Sequence, residues 1–182
     1  VITVRDSLPD VVVNLGRTNV VPGQTSFVPL RVNTGVNLTN LVFELEVAPS
    51  LLNAWALQSP SIDVLGADLR MLSSSRARIS LSLKGGVTEL ANRTLLRFAF
   101  TAVTNQASGW AALKPEQVLA VRGDGTAVAK TAGKYGKVFV VSLQPILELE
   151  DDSDRALLIY GTPGATYVLQ STPIFAPRAF WT

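Results

Sequence analysis

The chain has no cysteine and no histidine among its 182 residues, and only one methionine. Without cysteine there is no disulfide, no thiolate metal site and no cysteine nucleophile, although the compartment stays open because many exported modules also lack it. The missing histidine removes the commonest general base near neutral pH and the commonest transition-metal ligand. Any catalysis would therefore rest on carboxylates alone.

Long apolar runs are absent as well. Val11 to Val13 and Val138 to Val141 are among the longest, far short of the roughly 18 residues a membrane-spanning helix needs. No basic segment followed by an apolar one opens the sequence, so any export signal is expected to have been removed or to lie upstream. Sixteen basic residues stand against fourteen acidic ones with no basic stripe, which gives no support for nucleic-acid binding. Helical periodicity is nearly missing too, with only Val87 to Arg93 suggesting a single turn.

What the sequence does contain is strand pattern. In Leu41-Val42-Phe43-Glu44-Leu45-Glu46-Val47 the odd-numbered residues are apolar and both carboxylates fall on the other side, as expected of a strand with one core face and one wet face. The same period runs through Arg78 to Leu83, with Ser80 and Ser82 outward, and through Leu96, Phe98, Phe100 and Ala102. Further candidates are Val11 to Leu15, Phe27 to Val32, Leu52 to Leu57, Leu69 to Ser73, Gln117 to Arg122, Thr126 to Lys130 and Lys137 to Leu143. About ten strands separated by Gly, Pro and Asn turns predict an all-β sandwich or jelly roll.

The pattern restarts at Pro145. A fresh alternation, Ile146 to Glu150, is followed by Ala156 to Tyr160 and Thr166 to Gln170. The expected organisation is an N-terminal extension over 1–9, a sandwich over 10–143 and a partial β domain over 144–182. Val1 to Val4 reads as a strand belonging to whatever precedes Leu8-Pro9. Too few strands follow residue 144 to close a sandwich, so their edges should dock on the main body or pair with another copy.

The stretch Val11 to Gly16, the turn Val21-Pro22-Gly23-Gln24 and the strand Phe27-Val28-Pro29-Leu30-Arg31-Val32 together resemble the opening of a cohesin module, whose second strand is of the "xxIPV" type. Leu38 to Val47 followed by Ala48-Pro49-Ser50-Leu51-Leu52 is similar to the cohesin strand before the "dpxxL" turn. Thr94 to Phe100 is similar to the family's "G-x-L-x-x-I-x-F" strand. The resemblance covers residues 10 to 143 and implies a cohesin-like jelly-roll sandwich. It also implies a non-catalytic assembly module of an exported bacterial multidomain protein, placed outside the cell or on its surface. A dockerin-like partner would meet an outward sheet face that includes Val42, Glu44, Glu46, Ser80 and Ser82. The tail Gly164 to Thr172, then Phe180-Trp181-Thr182, resembles the middle of an immunoglobulin or fibronectin type III-like repeat.

Jelly-roll strand patterns are shared with carbohydrate-binding modules. A second reading is therefore a polysaccharide binder that stacks sugar rings on Trp55 or Trp110, and a third is a passive spacer. Neither a cofactor nor a metal is expected. The acidic run Glu148, Glu150, Asp151, Asp152 and Asp154 lacks the spacing of a calcium loop, and Arg122-Gly123-Asp124 reads as a turn before it reads as an adhesion tripeptide. Glu44 and Glu46, about 7 Å apart along one strand, read as a surface pair with no pocket around them.

Overall fold

A computed structural model describes residues 8–85, 93–149 and 156–168. Thirteen strands and no helix occur among them. In chain order they are β1 (Val11–Leu15), β2 (Arg17–Val20), β3 (Thr25–Thr34), β4 (Leu38–Glu46), β5 (Leu52–Gln58), β6 (Val64–Ser73), β7 (Arg76–Leu83), β8 (Arg93–Ala102), β9 (Gly109–Arg122), β10 (Thr131–Lys134), β11 (Gly136–Val140), β12 (Ile146–Leu149) and β13 (Leu157–Tyr160).

One sheet has the order β10-β1-β3-β8-β5, the other β2-β11-β9-β4-β7-β6, and β12-β13 form a separate hairpin. The two large sheets face each other across the apolar side of each strand. Leu41, Phe43 and Leu45 of β4 stand in register with Leu81, Ile79 and Ala77 of β7. They are buried together with Val28, Leu30, Phe98 and Phe100 from the facing sheet. Each such side chain contributes about 1.5–3 kcal/mol of burial, and this one cluster joins both sheets into an all-β jelly-roll sandwich.

The closing strands explain two segments that alternation does not reveal. β1 and β2 are one extended stretch that leaves one sheet at Gly16 and enters the other, and β10 and β11 do the same around Tyr135. Accordingly β1 runs parallel to β10 and β2 parallel to β11. Glycine is required at this double crossing: a Cβ on Gly136 would lie 2.4 Å from the Gly16 carbonyl oxygen and 2.8 Å from the Leu15 Cβ.

Several expected boundaries shift. Thr126 to Lys130 is not a strand, because Asp124 folds the chain back at once: its carboxylate accepts hydrogen bonds from the Thr126 N–H at 2.9 Å and hydroxyl at 2.7 Å. Only Ala127 bridges back, to Val121, and the strand proper starts at Thr131. Gln117 to Arg122 is the second half of a strand that begins at Gly109. Pro115 and the positive φ of 48° at Gln117 mark a bulge that hides its continuity. Pro115 lies beyond Gly109 to Leu113, the stretch that pairs with β11, so its missing N–H leaves that neighbour untouched.

In the C-terminal part β12 and β13 form as expected, but Thr166 to Val168 are not in a strand. The expectations on Val1 to Val4, on Val87 to Asn92 and on Phe180-Trp181 lie outside the described residues.

The hairpin packs on the outer side of β11. Phe139 points away from the core and is nonetheless buried, because the Tyr160 ring stacks on it with centroids 3.7 Å apart. The Glu148 carboxylate accepts hydrogen bonds from the Lys137 ammonium and the Tyr160 hydroxyl, with Arg17 at 3.9 Å.

Candidate docking face

The outer side of β9-β4-β7-β6 carries all five residues that the sequence places on a binding face. Cross-strand register sets them in rows. Asn40 stands beside Ser82, Val42 beside Ser80, Glu44 beside Arg78 and Glu46 beside Arg76, while β9 brings Leu119 next to Val42, Glu116 next to Glu44 and Lys114 next to Glu46. Rows on neighbouring strands interact as pairs.

Two chemistries share this face. At one end, Lys114 meets Glu46 at 3.5 Å, Arg76 bridges Glu44 and Glu116 at 3.4 and 3.0 Å, and Arg78 meets Glu44 at 2.8 Å. Glu44 points outward as expected but is not wet, since its side chain is only 8% exposed. The two arginines of β7 lie over it and replace its water, the arrangement that makes a desolvated carboxylate tolerable. Glu46, with Lys114 alone, stays open to solvent. A shallow depression of about 580 Å³ borders this end, lined by Glu44, Glu46, Leu72, Ser73, Ser75, Arg76 and Gln117.

Towards the other end the face turns neutral. Leu119 is 66% exposed, an isobutyl group held out from a paired strand beside Val42, which has Ser80 on its other side. An aliphatic group on a strand paired on both sides offers apolar contact area that is already ordered. Sequence reading missed Leu119. The period-2 rule assigns it outward, but only register places it against Val42.

The two tryptophans separate. Trp55 is swung toward the core by the bulge at Ala54, whose φ is 51°. Its ring stacks on Phe98 at 5.0 Å and leans on Phe100 at 5.7 Å, so it offers no free platform. Trp110 stands on the outer side of β9, 56% exposed, with the Lys137 ammonium 5.5 Å from its ring centre.

Arg122-Gly123-Asp124 is the head of a turn. Gly125 takes a φ of 84°, its N–H donates to the Arg122 carbonyl at 3.0 Å, and the Thr126 hydroxyl and N–H hold the Asp124 carboxyl below its usual range. In the acidic run Glu148 is committed to Lys137, Tyr160 and Arg17, while Glu150, Asp151, Asp152 and Asp154 lie outside the described residues. No group of carboxylates poised to hold a metal occurs among the described residues.

Among solved structures, cohesin domains share this fold. The Clostridium acetobutylicum cohesin CaCohA2, solved in complex with a dockerin, is 15% identical over 71% of this chain and 99% of its own, with a TM-score of 0.61. The OlpC cohesin in a type I cohesin–dockerin complex from Clostridium thermocellum is 12% identical over 76% of this chain and 99% of that one, with a TM-score of 0.62. A non-cellulosomal cohesin from the hyperthermophilic archaeon Archaeoglobus fulgidus is 17% identical over 73% and 92%, with a TM-score of 0.59. No family model and no curated protein sequence matches the chain. At these identities the likeness establishes the fold, a cohesin-like sandwich.

Proposed function

From a cohesin-like fold as premise, we propose that the chain is a non-catalytic protein-interaction module that takes a dockerin-like partner on the outer face of β9-β4-β7-β6. The observation that carries this reading is the exposed Leu119 beside Val42, with Ser80 and Ser82 on the strand beyond, bordered by the ion-paired ladder of Glu46, Glu44, Arg76 and Arg78. An apolar spot on a preorganised sheet supplies contact area at little entropic cost, and a charged border supplies orientation. Two of the neighbouring cohesins, CaCohA2 and OlpC, were solved in complexes with dockerins, which favours the same class of partner here.

The reading extends to context. The module belongs to an exported bacterial multidomain protein, at the cell surface or beyond it, with residues 10–143 as the docking unit. The segment 144–182 is then part of an immunoglobulin or fibronectin type III-like repeat. Titration calorimetry of the chain against a panel of dockerin modules tests the reading: Leu119→Asp should abolish any binding found for the unaltered chain while leaving its thermal stability in place.

A polysaccharide partner is the second reading, favoured by one observation, the open ring of Trp110. Retention on immobilised glycans that disappears in Trp110→Ala and survives in Leu119→Asp would select it over the first.

A further inference from the structure

Four strands end the two large sheets: β10, β5, β2 and β6. Three of them make poor templates for pairing. β2 and β10 have four residues each, and β5 is broken in the middle, where its register with β8 skips from Asn53 to Ala56. β6 is different, with ten residues and irregularities only near its ends, between Val64 and Gly66 and between Met71 and Ser73. Gly66 to Met71 run in regular register with β7, and among the described residues no strand pairs with their other side.

An unpaired edge of this kind is ordinarily guarded by charged side chains, lysine above all, by proline or by a central bulge, and the charges on this edge are one of each sign, Asp68 and Arg70. Gly66 to Met71 contain no proline, no lysine and no bulge. Exposed apolar side chains line the strand instead, with Leu65 71% exposed and Met71 and Leu72 near 40%.

The two charges on this stretch, Asp68 and Arg70, sit symmetrically about Leu69. If two copies pair antiparallel about a two-fold axis at Leu69, Asp68 of each chain stands directly opposite Arg70 of the other, and Met71 stands opposite Ala67. Within one chain this complementarity goes unused. The cross-strand neighbour of Arg70 is Arg78, a like charge already engaged by Glu44, and the neighbour of Asp68 is Ser80. Directly opposed unlike charges favour a strand pair, and like charges disfavour it.

We infer that β6 is a self-association edge through which a second copy of this chain joins antiparallel, fusing the two six-stranded sheets into one. The dimer sets the outer face of β9-β4-β7-β6 of one copy beside that of the other and buries Leu65, Met71 and Leu72 along the seam. The inference rests on the edge and its charge pattern and does not depend on the identity of any dockerin-like partner.

Sedimentation velocity over a wide concentration range tests it, on the chain itself and on Asp68→Arg, Arg70→Asp and the double exchange. The unaltered chain should show a reversible dimer. Each single reversal should weaken it about tenfold or more, since the two-fold axis makes every reversal act twice, and the double exchange should restore it. Both side chains lie on the surface, and circular dichroism checks that each variant is folded. Hydrogen exchange on the unaltered chain gives an independent reading, because the amides of residues 66–71 should gain protection as concentration rises. A monomer at every concentration, a dimer indifferent to both single reversals, or no concentration-dependent protection in β6 would overturn the inference.

Discussion

A carboxylate on the outward side of a strand is ordinarily hydrated, and Glu44 is not, because Arg76 and Arg78 cover it. Removing its charge leaves two guanidinium groups facing each other, with an amide that offers them one acceptor oxygen in place of two. Both arginines are close to half exposed, so water takes up part of the loss, and Glu44→Gln should cost about 1–2 kcal/mol, read as a lower urea midpoint. Glu46→Gln, at an open position paired only with Lys114, should change stability by less than about 0.5 kcal/mol. The alternation of β4 marks both glutamates as outward. Each faces an arginine across the β4–β7 ladder, and what separates them is that Arg76 as well as Arg78 turns to Glu44, a choice of side-chain direction that the local pattern does not encode. The tryptophans differ for a similar reason: a bulge turns Trp55 against the core, where it is partly buried, and no periodicity announces a bulge.

Glu148 brings a pH dependence at the same scale. The hydrogen bond from Lys137 is the main cause that holds its carboxyl below the ordinary value, helped by the Tyr160 hydroxyl and by the charges of Lys137 and Arg17 against the opposing effect of burial. A lowered carboxylate pKa contributes stability that is complete above the ordinary value of 4.5 and is lost as pH falls through the depressed folded value. Tyr160 shifts the other way, raised first by burial and then by Glu148. Its contribution is complete below the ordinary value of 10.0 and is lost as pH rises through the raised folded value. The hairpin should therefore be held most firmly between these limits. Hydrogen exchange followed from neutral pH into acid should show the amides of β12 and β13 losing protection before those of β4 and β7.

At the scale of elements, the crossing of β1–β2 past β10–β11 is the feature least tolerant of change. In Gly136→Ala the new methyl group meets backbone and Cβ atoms at 2.4 and 2.8 Å, neither of which moves without shifting a strand. The expected loss is about 1–3 kcal/mol, visible as a lower Tm. The long strands, β3, β4, β7 and β8, are legible in the sequence because each carries at least three apolar residues at period 2. β2 and β10 are not, since four residues with one inward side or none give no period to count, and their strand character comes from the parallel partner each one meets. The hairpin is legible as two alternating runs, but its seat on β11 is not. It depends on Phe139, which sits in the outward register of β11 and is buried only because Tyr160 arrives. Tyr160→Ala should expose Phe139 and release β12-β13 while leaving the sandwich folded, seen as faster exchange confined to residues 146–160.

At the scale of the whole molecule, the two sheet faces have been given different work. Buried residues from nine strands, with Val64 and Leu69 of β6 packed against them, build a single core among the described residues, and the sequence declares most of it, because an all-β chain must bury one side of most long strands. The outer face of β9-β4-β7-β6 is built of strands held in register by their neighbours. It carries an exposed leucine beside a ladder of paired charges, the combination on which the proposed docking surface rests. Composition alone could only remove alternatives here, by showing neither histidine nor cysteine. The proposed function starts from the cohesin-like fold, and register adds Leu119, set next to Val42, to the proposed face.

The central claim is that this face binds a protein module, and titration calorimetry against dockerin modules measures it directly. The account predicts saturable binding to at least one of them, lost in Leu119→Asp and unchanged in Trp110→Ala, with both variants as stable as the unaltered chain. Absence of binding across the panel, or binding that persists undiminished in Leu119→Asp, would contradict it.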